Sequence, residues 1–74
     1  MSERVYKKIR LVGVSQESYE KAIKNAMVEA GKTLHGLAWF EVVEQRGAVA
    51  EKGAIEFQAT IEVGFKVDPA KKRK

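Results

Sequence analysis

The stretch "IEFQATIEVGFK", residues 55 to 66, decides the fold class. Ile55, Phe57, Ala59, Ile61, Val63 and Phe65 alternate with Glu56, Gln58, Thr60, Glu62, Gly64 and Lys66. A period of two is that of a strand with one dry face, because successive side chains leave a strand on opposite sides. Something must cover that face. Upstream, "SQESYEKAIKNAMVEAGKTL" (15–34) repeats Tyr19, Ala22, Ile23, Ala26, Met27, Ala30 and Leu34 at steps of three and four, the stripe of an amphipathic helix. Ser15 is the expected N-cap with Glu17 in the first turn; Lys32 lies near the end, and Gly36 can stop the helix. "RVYKKIRLVGV" (4–14) alternates Val5, Ile9 and Leu11 against Tyr6, Lys8 and Arg10, with Lys7 as an exception, and reads as a first strand. "LAWFEVVEQRGAV" (37–49) reads as a second, joined to the third through a hairpin loop "AEKG". The expected class is α+β, a β-α-β-β protomer whose three-stranded antiparallel sheet wraps one amphipathic helix. It occupies residues 1–69, since Asp68 and Pro69 end the last strand, and residues 70–74 form a basic tail expected to be disordered.

A chain of 74 residues forms one small domain and buries only about 60% of its unfolded surface. Such domains lean on disulfides, metals or association. There is no cysteine and a single histidine, which removes disulfides and a multi-histidine metal site, so association is what remains. The formal charge of +4 comes wholly from "KKRK" (71–74), because the other ten basic residues face ten acidic ones. A neutral body argues against a broad phosphate-binding face and makes nucleic acid an unfavoured partner. No apolar run approaches a membrane span and "MSERVYKK" has no signal-peptide core, so a cytoplasmic protein without a membrane partner is expected.

The only tryptophan sits next to a phenylalanine in the second strand. Alternation puts Ala38, Phe40 and Val42 on one side and Trp39, Glu41, Val43 and Gln45 on the other. Phe40 and Val42 suit the helix-facing core, so Trp39 is expected to point away from the helix, on the side of Gln58 and Thr60. Two readings of an indole there stand open. It can fill a subunit interface, which spacing alone favours, or it can be a stacking platform for a planar heterocycle, with the Gln58 amide as donor and acceptor. His35 at the helix end suits contact with carbonyls or solvent. Arg46 before Gly47 can mark a bulge near the end of the second strand, and Arg46 and Lys66 are each either exposed cations or phosphate contacts. Glu41, Glu44, Glu56 and Glu62 read most simply as cross-strand ion-pair partners. No nucleophile, metal cluster or glycine-rich phosphate loop can be identified, so no catalytic residue is assigned and an enzyme is not expected.

"VYKKIRLVGVS", "AGKTL", "WFEVVEQRG" and "FQATIEVGFKV", in this order and spacing, resemble the dodecins, small flavin-binding proteins, from about Val5 to Val67. The resemblance implies a β-α-β-β protomer, twelve copies of which form a hollow homododecamer of cubic symmetry. It further implies flavins bound as antiparallel pairs near two-fold axes, between tryptophans of neighbouring subunits. Trp39 matches that tryptophan, and Gln58 the glutamine that bonds the pyrimidine-like edge of the ring. Arg46 and Lys66 match basic residues that help to hold the flavin, including the phosphate of FMN; Lys66 stands where an arginine is more usual, keeping the charge but losing the planar fork. Some relatives also bind coenzyme A near three-fold axes, which makes Lys32 and Thr33 of "GKTL" candidates. The implied function is storage of FMN or riboflavin with quenching of its photochemistry. The competing class is a small nucleic-acid-binding module using Trp39 and the basic tail.

Overall fold

The computed structural model describes residues 4–67; Pro69 and the 70–74 tail lie outside them. The order is β1 (Val5–Ser15), α1 (Tyr19–Thr33), β2 (Leu37–Val49), a single 3-10 turn (Glu51–Gly53) and β3 (Ile55–Val67). β3 is the central strand, antiparallel to β1 on one side and to β2 on the other. The expected β-α-β-β fold with a three-stranded antiparallel sheet and one helix is therefore present.

Length explains the shape. Strands of 13 residues run about 40 Å, whereas a helix of 15 residues spans about 22 Å. One helix cannot cover such a sheet, and α1 packs on β1 and β3. The radius of gyration is 15.4 Å, against roughly 11 Å for a compact chain of this size. Ala22, Ala26, Ala30, Ala59, Ile61 and Val63 are the buried apolar residues among those described, and only the last two are larger than alanine. Ile9, Leu11, Ile23, Met27 and Leu34 pack around them.

The alanine stripe lets the helix sit close, and at Gly13 of β1 it leaves no room for a side chain. A β-carbon there would stand 2.0 Å from the carbonyl oxygen of Ala22 and 3.0 Å from Cβ of Ala26. Asn25 Nδ2 donates to the Val14 carbonyl at 2.9 Å and ties the same turn to the strand.

Two expectations need correction. The N-cap is Ser18, not Ser15: its hydroxyl accepts the Lys21 N–H at 3.0 Å, and Glu20 is the acidic residue of the first turn. Ser15 instead ends β1 opposite Phe57, with its hydroxyl accepting the Glu17 N–H at 2.9 Å. Phe40 and Val42 share the helix-facing side, opposite Val63 and Ile61, but each remains 45% exposed because α1 stops short of β2. Phe40 does not anchor β2 to the helix.

At the hairpin, the Ala50 N–H donates to the Ala54 carbonyl at 2.7 Å. Lys52 and Gly53 both adopt positive φ, 63° and 79°. The glycine does so freely, and the lysine at some strain.

Candidate functional site

The side of the sheet away from α1 carries nearly all the chain's cross-strand polar chemistry. Because strand partners share a face, one row across the three strands reads Lys8, Gly64, Trp39, and the next reads Arg10, Glu62, Glu41. Gly64 has no side chain, and the Trp39 indole fills the space: a β-carbon there would lie 2.5 Å from Cε2 and Cζ2. The indole N–H donates to Glu41 Oε2 at 3.0 Å. Tyr6 flanks it, with ring centroids 5.2 Å apart and planes at 57°. Trp39 is nonetheless 39% exposed. It is a held but open aromatic surface.

Glu41 and Glu62 are direct partners across β2 and β3, so two like charges meet. Lys8 resolves the conflict by reaching diagonally from β1, with Nζ 3.2 Å from Glu41 Oε2 and 3.1 Å from Glu62 Oε1. Arg10 adds 2.9 Å to Glu62 Oε2. The hydrogen bond from Trp39, and then Lys8, hold the Glu41 carboxyl below its ordinary value; Lys8 and then Arg10 do the same for Glu62, while Glu62 and then Glu41 raise Lys8. Carboxyls depressed in the native state contribute stability above their ordinary value near 4.5 and lose it as pH falls through the native value. Lys8 contributes below about 10.5 and loses its part only above that. The emission of Trp39, the sole indole, should therefore stay constant from neutrality to about pH 4.5 and change only on further acidification. A fluorescence pH titration checks this; a transition near pH 6 would contradict it.

At the other end of the same face, Arg46 and Gln58 are strand partners, and Arg46 Nε donates to Gln58 Oε1 at 2.7 Å. Gln58 Nε2 donates to Glu56 Oε1 at 3.3 Å. A bulge puts Arg46 there. Strict alternation would separate Arg46 from Trp39, but the register slips between Val42 and Glu44, leaving Val43 as the extra residue. Arg46 thus joins the face of Trp39, and Gln45, expected beside Trp39, turns to the helix side opposite Ala59. The bulge lies three residues before the Arg46–Gly47 position where it was looked for. A second slip, between Leu37 and Trp39, makes Ala38 an extra residue.

Trp39 and Gln58 do not meet. Gly64, under the indole, is six residues along β3 from Gln58, about 20 Å at strand rise. One chain therefore carries two separate groups of candidate residues, or candidate half-sites, Trp39 with Lys66 and Tyr6 at one end, and Gln58 with Arg46 at the other.

A family model described as Dodecin matches residues 5–68. The chain belongs to the dodecin family. Among curated relatives, the dodecin of Thermus thermophilus is 51% identical over 65 residues, 88% of this chain and 94% of that one. Calcium dodecin of Mycobacterium tuberculosis is 36% identical over 69 residues, covering 93% and 97%. Among solved structures, a Thermus thermophilus protein superposes with a TM-score of 0.82 at 50% identity, covering 89% of this chain and 97% of that one. The dodecin from Streptomyces davaonensis gives 0.82 at 42%, covering 90% and 98%.

Within this dodecin chain, Lys32 and Thr33 lie exposed in the last helical turn, where Lys32 Nζ stands 3.4 Å from Glu29 Oε1. Among the described residues, no three metal-ligating side chains gather into a group, and no helix is long and apolar enough to cross a membrane. The sequence reading missed Gly64, Tyr6 and Glu41 as supports of Trp39. Gly64 carried a signal: it breaks a strictly polar row at the one place where a large aromatic can lie across the strand.

Proposed function

We propose that this chain is a flavin-binding storage protein that stacks an isoalloxazine on Trp39 and quenches its photochemistry. The observation that carries the reading is an indole held by Glu41 and seated over Gly64, yet exposed on the face away from the helix. A planar ligand gains most from an aromatic surface that is already ordered. Gln58 keeps one lone pair and one N–H after its bonds to Arg46 and Glu56, enough to read a heterocycle edge. Arg46 and Lys66, one at each half-site, suit the phosphate of FMN beyond what riboflavin offers. A bound flavin supplies a light-excitable electron acceptor, and the indole is the donor it would meet.

Assembly is part of the same proposal. The half-sites are too far apart for one ligand within a chain, so a site with both Trp39 and Gln58 needs two subunits. Leu37, Phe40, Val42, Val43 and the hairpin residues Val49 and Ile55 expose apolar surface that a lone protomer leaves wet. A homododecamer would cover it. Coenzyme A at Lys32 and Thr33 rests on the family resemblance and the exposure of that turn. The nucleic-acid reading has less support, because Lys8 and Arg10 on this face are already neutralised by Glu41 and Glu62.

The test is a titration of the apo-protein with riboflavin and with FMN, followed by flavin emission. Native protein should quench strongly. Trp39→Ala should bind about five- to 150-fold more weakly, since stacking on one aromatic is worth about 1–3 kcal/mol. Equal affinity and equal quenching in that variant would sink the stacking role.

A further inference from the structure

Trp39 is an aromatic on an exposed strand face, where a side chain with two free torsions would normally sample several rotamers. Here three neighbours remove that freedom. Gly64 opens the space beneath, Tyr6 closes one side, and Glu41 takes the only polar hydrogen the ring has. Of the three, only the Glu41 bond fixes which edge of the indole faces along the strand. The carboxylate is itself held, because Oε2 also lies 3.2 Å from Lys8 Nζ. Lys8 is in turn held by Glu62, and Glu62 by Arg10. The result is a chain of contacts, Trp39–Glu41–Lys8–Glu62–Arg10, that crosses all three strands without a buried charge. Its charged groups from β1, β2 and β3 balance, two positive against two negative.

We propose that Glu41 is the positioning residue of Trp39, which fixes the indole orientation before a ligand arrives and so sets how well a planar ring stacks on it. The ligand half of this inference rests on the flavin reading; the positioning half does not. A preset orientation lowers the ordering cost of binding, which an indole free to turn would incur each time. The remaining members of the chain serve to keep the Glu41 carboxylate ionised and aimed. Glu41 touches no ligand in this account, and its effect passes through the tryptophan.

The experiment uses full-length protein with Glu41→Leu and Glu41→Gln. In the apo-protein, ultraviolet resonance Raman of the single indole reports whether its N–H is hydrogen-bonded, and riboflavin titration reports binding. E41L should lose the hydrogen-bonded N–H signature and bind riboflavin about three- to ten-fold more weakly, the scale of one charge-assisted hydrogen bond discounted for exposure. E41Q keeps a carbonyl acceptor and should retain the signature and most of the affinity. A wild-type N–H signature in E41L would overturn the proposal, as would equal damage in E41L and E41Q while both melt like the wild type. Should the unmodified protein bind no riboflavin, the flavin reading fails, and the Raman comparison alone still decides whether Glu41 positions Trp39.

Discussion

A Gly13→Ala protein should melt roughly 10 °C below the wild type, although the change adds one methyl group. The added carbon would lie 2.0 Å from the Ala22 carbonyl oxygen, a backbone atom in the first turn of α1. Relief requires the helix to move outward by about 1.5 Å, since non-bonded atoms settle near 3.5 Å. Such a movement opens the layer formed by Ala22, Ala26, Ala30, Ile61 and Val63, which is most of the dry interior. Overpacking of this kind costs about 1–3 kcal/mol and at times more. The entropic benefit of replacing a glycine recovers at most about 1 kcal/mol. For a domain below 100 residues, each kcal/mol moves the midpoint by roughly 4–8 °C. Circular dichroism melts of the two proteins at equal concentration settle the matter, and an unchanged midpoint would show that the helix is less tightly seated than its geometry states.

The same substitution at Gly64 should have the opposite profile: a melt within a few degrees of the wild type and a site that no longer stacks. Here the conflicting atoms are the benzo carbons of Trp39, 2.5–2.7 Å from the new carbon. They belong to a half-exposed side chain that can swing away, so the strain is relieved without moving backbone. The consequence falls on the indole, which leaves its bed and its Glu41 partner together. Under the proposed function, Gly64→Ala should weaken flavin binding by at least about five-fold, the lower bound for loss of one stacking contact, and restore flavin emission. Retained quenching would mean that the indole can work from another rotamer.

The outline of this fold could be read from periodicity because both signals were long and unbroken. Twelve alternating residues in β3 and seven stripe positions along α1 and its C-cap left one arrangement of helix on sheet. The helix start was misplaced because Ser15 and Ser18 are equally good caps in isolation, and only strand pairing through Ser15 decides between them. The face of Arg46 could not be read at all. A bulge inserts one residue without a glycine to announce it, so "VVEQR" looks like regular strand while its parity has changed. Phe40 was placed on the correct side but given a cover that the helix is too short to provide. Pattern reports which way a side chain points; it does not report how far the opposing element extends.

The distance between Trp39 and Gln58 has a consequence for bookkeeping of a different sort, that of ownership. Two half-sites about 20 Å apart on one strand pair mean that, under the proposed function, no chain possesses a site; it lends one half to each of two neighbourhoods. A lesion at Trp39 would then spoil one neighbourhood and leave the other in use through the same molecule's Gln58. In a population mixing chains damaged at different ends, some intact sites would survive although no intact chain was present.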